Sequence, residues 1–279
     1  MSDKVSLKEL AQAERAQMER QQSGEVPDVS VPLPSRGKVY PTDNVLFLAE
    51  TVDVRAMTAK DENILSSMAL IKKGTALTSV MRACMTNKLI DVDSMLVGDR
   101  NAVLIGIRNS SYGSEYTVDV DCPSCDAKFE HTFDMSRLSV KTLDVEPCVS
   151  NTNNFRFDLP RTKREVIFRL LTGRDVAELD RTQAQRKKNN VVVDDSATLS
   201  LHHQIISIGG EEDRNKLMKL VETMPAYDSL ALRTYIADII PGVDMIQDMS
   251  CPVCDAVSEV DVPMGTEFFW PTGKRRKRR

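Results

Sequence analysis

Two short stretches constrain this chain more than any others. Cys122-Pro123-Ser124-Cys125 and Cys251-Pro252-Val253-Cys254 share a Cys-Pro-x-Cys order, and both continue with Asp-Ala. Each is followed by alternating sequence suited to a strand, at 129–133 and 257–262. A two-residue gap lets a tight turn aim both sulfurs at one ion while nearby backbone N–H groups steady them. Two such turns supply the four soft ligands of a tetrahedral zinc site, so Cys122, Cys125, Cys251 and Cys254 are the expected metal ligands. Four cysteines close the shell and leave no position for water or substrate, so the expected Zn2+ is structural. Two other uses stay open. A Cys-x-x-Cys is also a redox dithiol, although that motif sits at a helix start near a βαβ unit. Two independent disulfides are the other use, disfavoured in a reducing compartment.

Length and composition describe an ordinary globular chain. With 279 residues, 41% hydrophobic and 28% charged, it has enough apolar sequence to bury a core in one large domain or two smaller ones. No apolar run is long enough to span a bilayer, and Met1-Ser2-Asp3-Lys4 does not open a signal peptide, so a reducing cytoplasm is the expected compartment. The net charge is −4, yet the last six residues, 274–279, are all cationic, so the rest of the chain is more acidic than the whole. A basic tail at 273–279 can hold nucleic acid through phosphates, dock on an acidic protein surface or stay solvated. The acidic body and its few aromatic residues weigh against nucleic acid.

The coarse pattern predicts an α+β protein. Helical blocks surround a small antiparallel β region, with a discontinuous four-cysteine zinc-ribbon module built from 115–135 and 244–262. Residues 1–24 are expected to form an N-terminal helical arm, with Ser6 and Glu9 as a capping box. The stretch 25–44, carrying Pro27, Pro32, Pro34 and Pro41, predicts an extended linker with Tyr40 as an anchor. Residues 45–272 form the expected body. Its predicted elements are a strand–turn–strand over 45–55, a helix capped at Thr58 and running to about Ile71, and another from Thr75 to Thr86 with Cys84 as a core residue. Asp99 is expected to cap a helix ending at Gly113. A hairpin is predicted over 155–170, and Thr172 and Asp175 start the next helix. Further helices are expected from Ser196 to about Ile208, then to Met224, and from a cap at Asp228 to Pro241.

No catalytic motif emerges. There is no His-Glu-x-x-His, Gly-x-Ser-x-Gly, Walker loop or dinucleotide fingerprint, and the carboxylates are scattered. His202 and His203 are adjacent on a predicted helix, one ring facing the core and one the surface. His131 lies near the first cysteine turn, close enough to support a metal ligand, but the four cysteines already complete the site.

Several further motifs occur in a telling order: Pro32–Pro41, Arg55-Ala56-Met57-Thr58, Ser111-Tyr112-Gly113, Cys122/Cys125, Leu170-Leu171-Thr172-Gly173-Arg174-Asp175, Cys251/Cys254 and Phe268-Phe269-Trp270-Pro271. Together they resemble the baseplate hub assembly proteins of T-even-type (T4-like) bacteriophages, over roughly residues 30–272. The resemblance implies a non-enzymatic tail assembly or structural protein that binds other baseplate or hub subunits. It would be found in the host cytoplasm during assembly and in the virion tail baseplate. It carries the family's zinc-turn cysteines onto Cys122, Cys125, Cys251 and Cys254, and transfers no catalytic residue. The alternative function is a zinc-ribbon nucleic-acid-binding protein using 274–279.

Overall fold

The computed structural model describes residues 28–188, 196–262, 264 and 266–269. The expected N-terminal helix, the Asn-rich end at 189–190, Trp270-Pro271 and the basic tail lie outside them.

Strands β1 (Val29–Pro32) and β2 (Thr51–Val54) precede helices α1 (Ala59–Ser66), α2 (Met68–Lys72), α3 (Ala76–Cys84) and α4 (Val97–Tyr112). Strands β3 (Glu115–Asp121) and β4 (Lys128–Asp134) lead through the 3-10 turn Met135–Arg137 to β5 (Val140–Lys141), β6 (Phe155–Asp158) and β7 (Glu165–Phe168). Helices α5 (Gly173–Lys188) and α6 (Ser196–Gln204), strand β8 (Ile205–Ile208), and helices α7 (Arg214–Glu222) and α8 (Ala226–Ile239) follow. The last elements are β9 (Gly242–Val243), β10 (Ile246–Ser250), β11 (Val257–Asp261) and the 3-10 turn Thr266–Phe269. All strand pairings are antiparallel: β1 with β2, β3 with β4, β5 with β9, β10 with β11, and β6–β7–β8 as a three-stranded sheet. The architecture is α+β with small sheets, as the sequence pattern predicts.

Helix α4 runs through the core. Ala102, Val103, Leu104, Ile105, Ile107 and Arg108 are all buried, so the helix is covered on most sides, by β1, β2, α3, β9 and both 3-10 turns. At its start Gly98 lies against the backbone of Pro241 and Gly242; a Cβ there would meet the Pro241 carbonyl oxygen at 1.9 Å. At its end Gly113, at φ 84°, closes the helix, donating its N–H to the Asn109 carbonyl. Arg108 is itself buried, and its guanidinium donates to the carbonyls of Gly113, Glu115 and Phe268. Phe268 in turn packs edge-on against Tyr116 at 5.1 Å, so the aromatic end folds back onto the base of β3.

Several local expectations are corrected. The proline-containing segment is not a polyproline linker over its described length: Val29–Pro32 pairs with β2, and Val31, Leu33, Val39 and Tyr40 are buried. β1 lies at a sheet edge, where the missing Pro32 N–H is tolerated. Residues 45–47 form turns rather than a strand. The helix after Thr58 breaks at Ser67 into α1 and α2. The helix expected up to Ile208 ends at Gln204, and the isoleucine-rich run Ile205–Ile208 pairs with β7 instead.

Asp99 and Asp228 do not cap their own helices. Each is the third residue of its helix and buried, and each takes hydrogen bonds from a distant loop. Asp99 accepts from the Ser35 N–H at 2.9 Å and from the Ser35 and Tyr40 hydroxyls, both at 2.6 Å. Asp228 accepts from the N–H groups of Arg161 at 2.7 Å and Thr162 at 3.1 Å. A carboxylate in the first turn also meets the positive end of the helix, which offsets part of the cost of burying it.

Candidate metal centre

Each cysteine pair sits at the tip of a hairpin, and the two turns are built alike. In the first, Cys122 donates its N–H to the Ala127 carbonyl at 2.9 Å, and its own carbonyl accepts from Asp126 at 2.9 Å. In the second, Cys251 donates to Ala256 at 2.9 Å and accepts from Asp255 at 3.0 Å. Asp126 and Asp255 hold left-handed backbones, at φ 55° and 56°. Aspartate tolerates that region better than most residues, which is a physical reason for the Asp-Ala after each motif. The N–H of Ser124 points at Cys122 Sγ and that of Val253 at Cys251 Sγ, each at 3.4 Å. Such donors stabilise thiolates.

The four sulfurs meet. All lie within 4.8 Å of one another, with Cys122 and Cys251 buried and Cys125 and Cys254 exposed. The Cys122–Cys254 and Cys125–Cys251 separations are both 3.8 Å. A disulfide needs sulfurs about 2.05 Å apart. A regular tetrahedron with metal–sulfur bonds of about 2.3 Å has edges of about 3.8 Å. The donor set and its spacing therefore fit a four-sulfur metal ion and do not describe disulfides.

Their protonation shows the same crowding. Burial raises the Cys251 thiol, but the Val253 and Cys254 N–H groups and neighbouring thiols outweigh it and bring it to about 7. For Cys125 the Ala127 N–H lowers the value, yet the surrounding thiols and burial push it up to about 12. Four thiolates this close repel one another unless a cation sits among them.

The other singled-out residues lie elsewhere. His131 is on β4, edge-on to Phe133 at 4.7 Å between ring centroids. His202 is buried, as expected for one of the pair, and His203 is half-buried with Nδ1 3.8 Å from Glu178 and 4.0 Å from Asp175. Cys84 is fully buried on α3, and burial pushes its thiol up to about 11, so it behaves as a core residue. No helix among the described residues is long and apolar enough to cross a membrane.

Fold and site together define an α+β protein whose distant hairpins converge on one four-cysteine cluster. The chain belongs to the family described as T4 bacteriophage base plate protein, whose model matches residues 26–270 and so covers both hairpins and the whole core. No curated protein and no solved structure matches it.

Proposed function

We propose that this chain is a non-enzymatic assembly or structural protein of the phage tail baseplate hub. It binds other baseplate subunits and is held in shape by one structural Zn2+ on Cys122, Cys125, Cys251 and Cys254. The family match across the body is the observation that carries the tail role. The convergence of four sulfurs from remote hairpins supports the metal. A closed four-sulfur shell supplies rigidity and no open coordination position. The protein acts in the host cytoplasm while the tail is built and in the virion baseplate.

Co-expression with the other baseplate subunits tests the reading. A stable co-purifying complex is expected, as is a failure of tail assembly when the gene is deleted. Normal tails in its absence would overturn it. The nucleic-acid alternative gains nothing from the described surface. The hairpins that a nucleic-acid-binding ribbon would use carry Asp119, Asp121, Glu130, Asp248, Glu259 and Asp261, which repel phosphates. Deleting 274–279 should leave no salt-sensitive DNA or RNA binding to lose.

A further inference from the structure

The resemblance between the cysteine turns extends through the chain on either side of them. Each turn is the last part of a longer run of elements, and the two runs match in order and in their contacts. The first run opens with the antiparallel pair β1–β2, the second with β6–β7. Leu33-Pro34 directly follows β1, and Leu159-Pro160 directly follows β6. After β2 comes Arg55-x-x-Thr58-x-x-Asp61; after β7 comes Arg169-x-x-Thr172-x-x-Asp175.

These signatures make the same bonds. Asp61 accepts from the Thr58 N–H and hydroxyl, both at 2.8 Å, and Asp175 accepts from the Thr172 N–H and hydroxyl at 2.8 and 2.7 Å. Both carboxylates are gripped by two guanidinium nitrogens, from Arg55 at 2.7 and 3.3 Å and from Arg169 at 2.7 and 2.6 Å. A nine-residue helix then ends beside the strand just named, α3 in one run and α6 in the other. The Arg55 N–H donates to Cys84 at its end at 2.9 Å, and the Arg169 N–H donates to Gln204 at 2.8 Å.

The long helices α4 and α8 correspond next. Asp99 and Asp228 occupy the same helical position and reach the same place, the N–H two residues beyond Leu33 or Leu159. From each aspartate the same number of residues leads to the first cysteine of a turn. Keeping that register aligns Gly106 with Tyr235, and the Leu-Pro register aligns Val31 with Phe157. Val31 lies on Gly106, where a Cβ would meet it at 2.3 Å, and Phe157 stacks on Tyr235 at 4.8 Å. Two independent registers thus yield one helix–strand contact in both runs. Beyond the turns, Met135 and Met264 stand at matching positions, each packed into or against the core.

We propose that the chain is a tandem duplication of one folding unit and that the four-cysteine centre is the joint between the copies. Each unit contributes two ligands. Exchanging the units carries Cys122 onto Cys251 and Cys125 onto Cys254, so the 3.8 Å pair Cys122–Cys254 becomes the 3.8 Å pair Cys251–Cys125. A metal held by the four sulfurs would therefore lie on a local twofold axis. The hairpin bases are held by the body: Tyr116 and Phe133 are buried in the core at the base of the first, Val262 directly after the second, and Gln247 bonds the Asp134 carbonyl at 3.1 Å. The tips are exposed at Lys128, Val253 and Val257 and meet through their sulfurs. Metal loss accordingly frees both tips together and leaves the Asp99 and Asp228 anchors in place.

This inference rests on the zinc reading, and one experiment separates the two. Metal analysis is made on the full chain, followed by hydrogen exchange with zinc bound and after chelation. One zinc per chain is expected. On its removal, amides of 122–127 and 251–256 should speed up together by tenfold or more, while those of Ser35 and Arg161 stay unchanged. Zinc bound with only one tip responding, or with the anchors released alongside the tips, overturns the joint and leaves the metal reading standing. No bound zinc overturns both. Equivalent substitutions supply a second measure: Cys122→Ser and Cys251→Ser should loosen both tips to the same extent, and unequal effects count against the axis.

Discussion

The carboxylate of Asp99 accepts a 2.6 Å hydrogen bond from the hydroxyl of Tyr40, 59 residues away in the chain. The same hydroxyl oxygen accepts the Leu96 N–H at 2.9 Å, so Tyr40 joins the entry segment to the start of α4. Burial, together with the Asp99 charge, raises the Tyr40 pKa well above its ordinary value. Burial likewise raises Asp99, against the bonds from Ser35 and Tyr40. Removing the carboxylate strands several buried donors at once. Asp99→Ala should cost roughly 3–5 kcal/mol and Tyr40→Phe about 1–2 kcal/mol in urea unfolding. The double variant should fall well short of the sum, because the two share one network. Additive losses would show that the network is not a unit.

Asp61 predicts an acid limb. Burial raises its carboxyl, but the Arg55 pair and the Thr58 donors more than offset this and bring it from 3.8 to about 2. A lowered carboxyl contributes stability above its ordinary value and loses it as pH falls through the folded value. The contribution at neutral pH is about 2 kcal/mol. Asp61→Asn should therefore be weaker than wild type at pH 7, with the gap closing toward pH 2. A gap that does not depend on pH would remove the ion pair from the account.

Metal content separates the six cysteines. Cys122→Ser and Cys254→Ser should abolish tight zinc binding, since a structural site with three sulfurs is open and weakened. Cys148→Ser, at an exposed position outside the cluster, should keep one zinc per chain. Loss of zinc in that control would show that the ligand set has been misassigned.

Two glycines should respond in opposite degree. Gly98→Ala drives a methyl into the Pro241 carbonyl, and backbone cannot swing aside, so a loss of about 2–3 kcal/mol or more is expected. Gly74→Ala meets nothing within 4 Å and bears only the strain of φ +69°, about 1 kcal/mol. Thermal melts that rank them the other way would contradict the close approach of α4 to residues 241–242.

The convergence of the cysteine turns was legible because its signal is short and local: each Cys-Pro-x-Cys sets two sulfurs on one tight turn, and the four meet. The hairpin over 155–168 was legible for the same reason. The matching of whole units was not. Residues 33–50 form a long loop where the second copy has only 159–164, and α7 has no counterpart among the described residues of the first. Unequal insertions shift the register several times, so few identities line up at any one offset. Asp99 and Asp228 misled in a related way. An aspartate near a helix start reads as a cap, and only tertiary structure reveals the loop it serves. The run 205–208 became a strand because β7 offered an edge, which local periodicity does not record.

The contact of Val31 with Gly106 and that of Phe157 with Tyr235 bear on how such a chain can be altered. Both set the spacing of a strand over a helix, one by removing a side chain and the other by adding a ring. A consensus sequence averaged over the copies would fail here. Gly106→Tyr alone would collide with Val31, and Tyr235→Gly alone would strip one face of Phe157. Grafting between the halves must transplant strand and helix partners as a matched set.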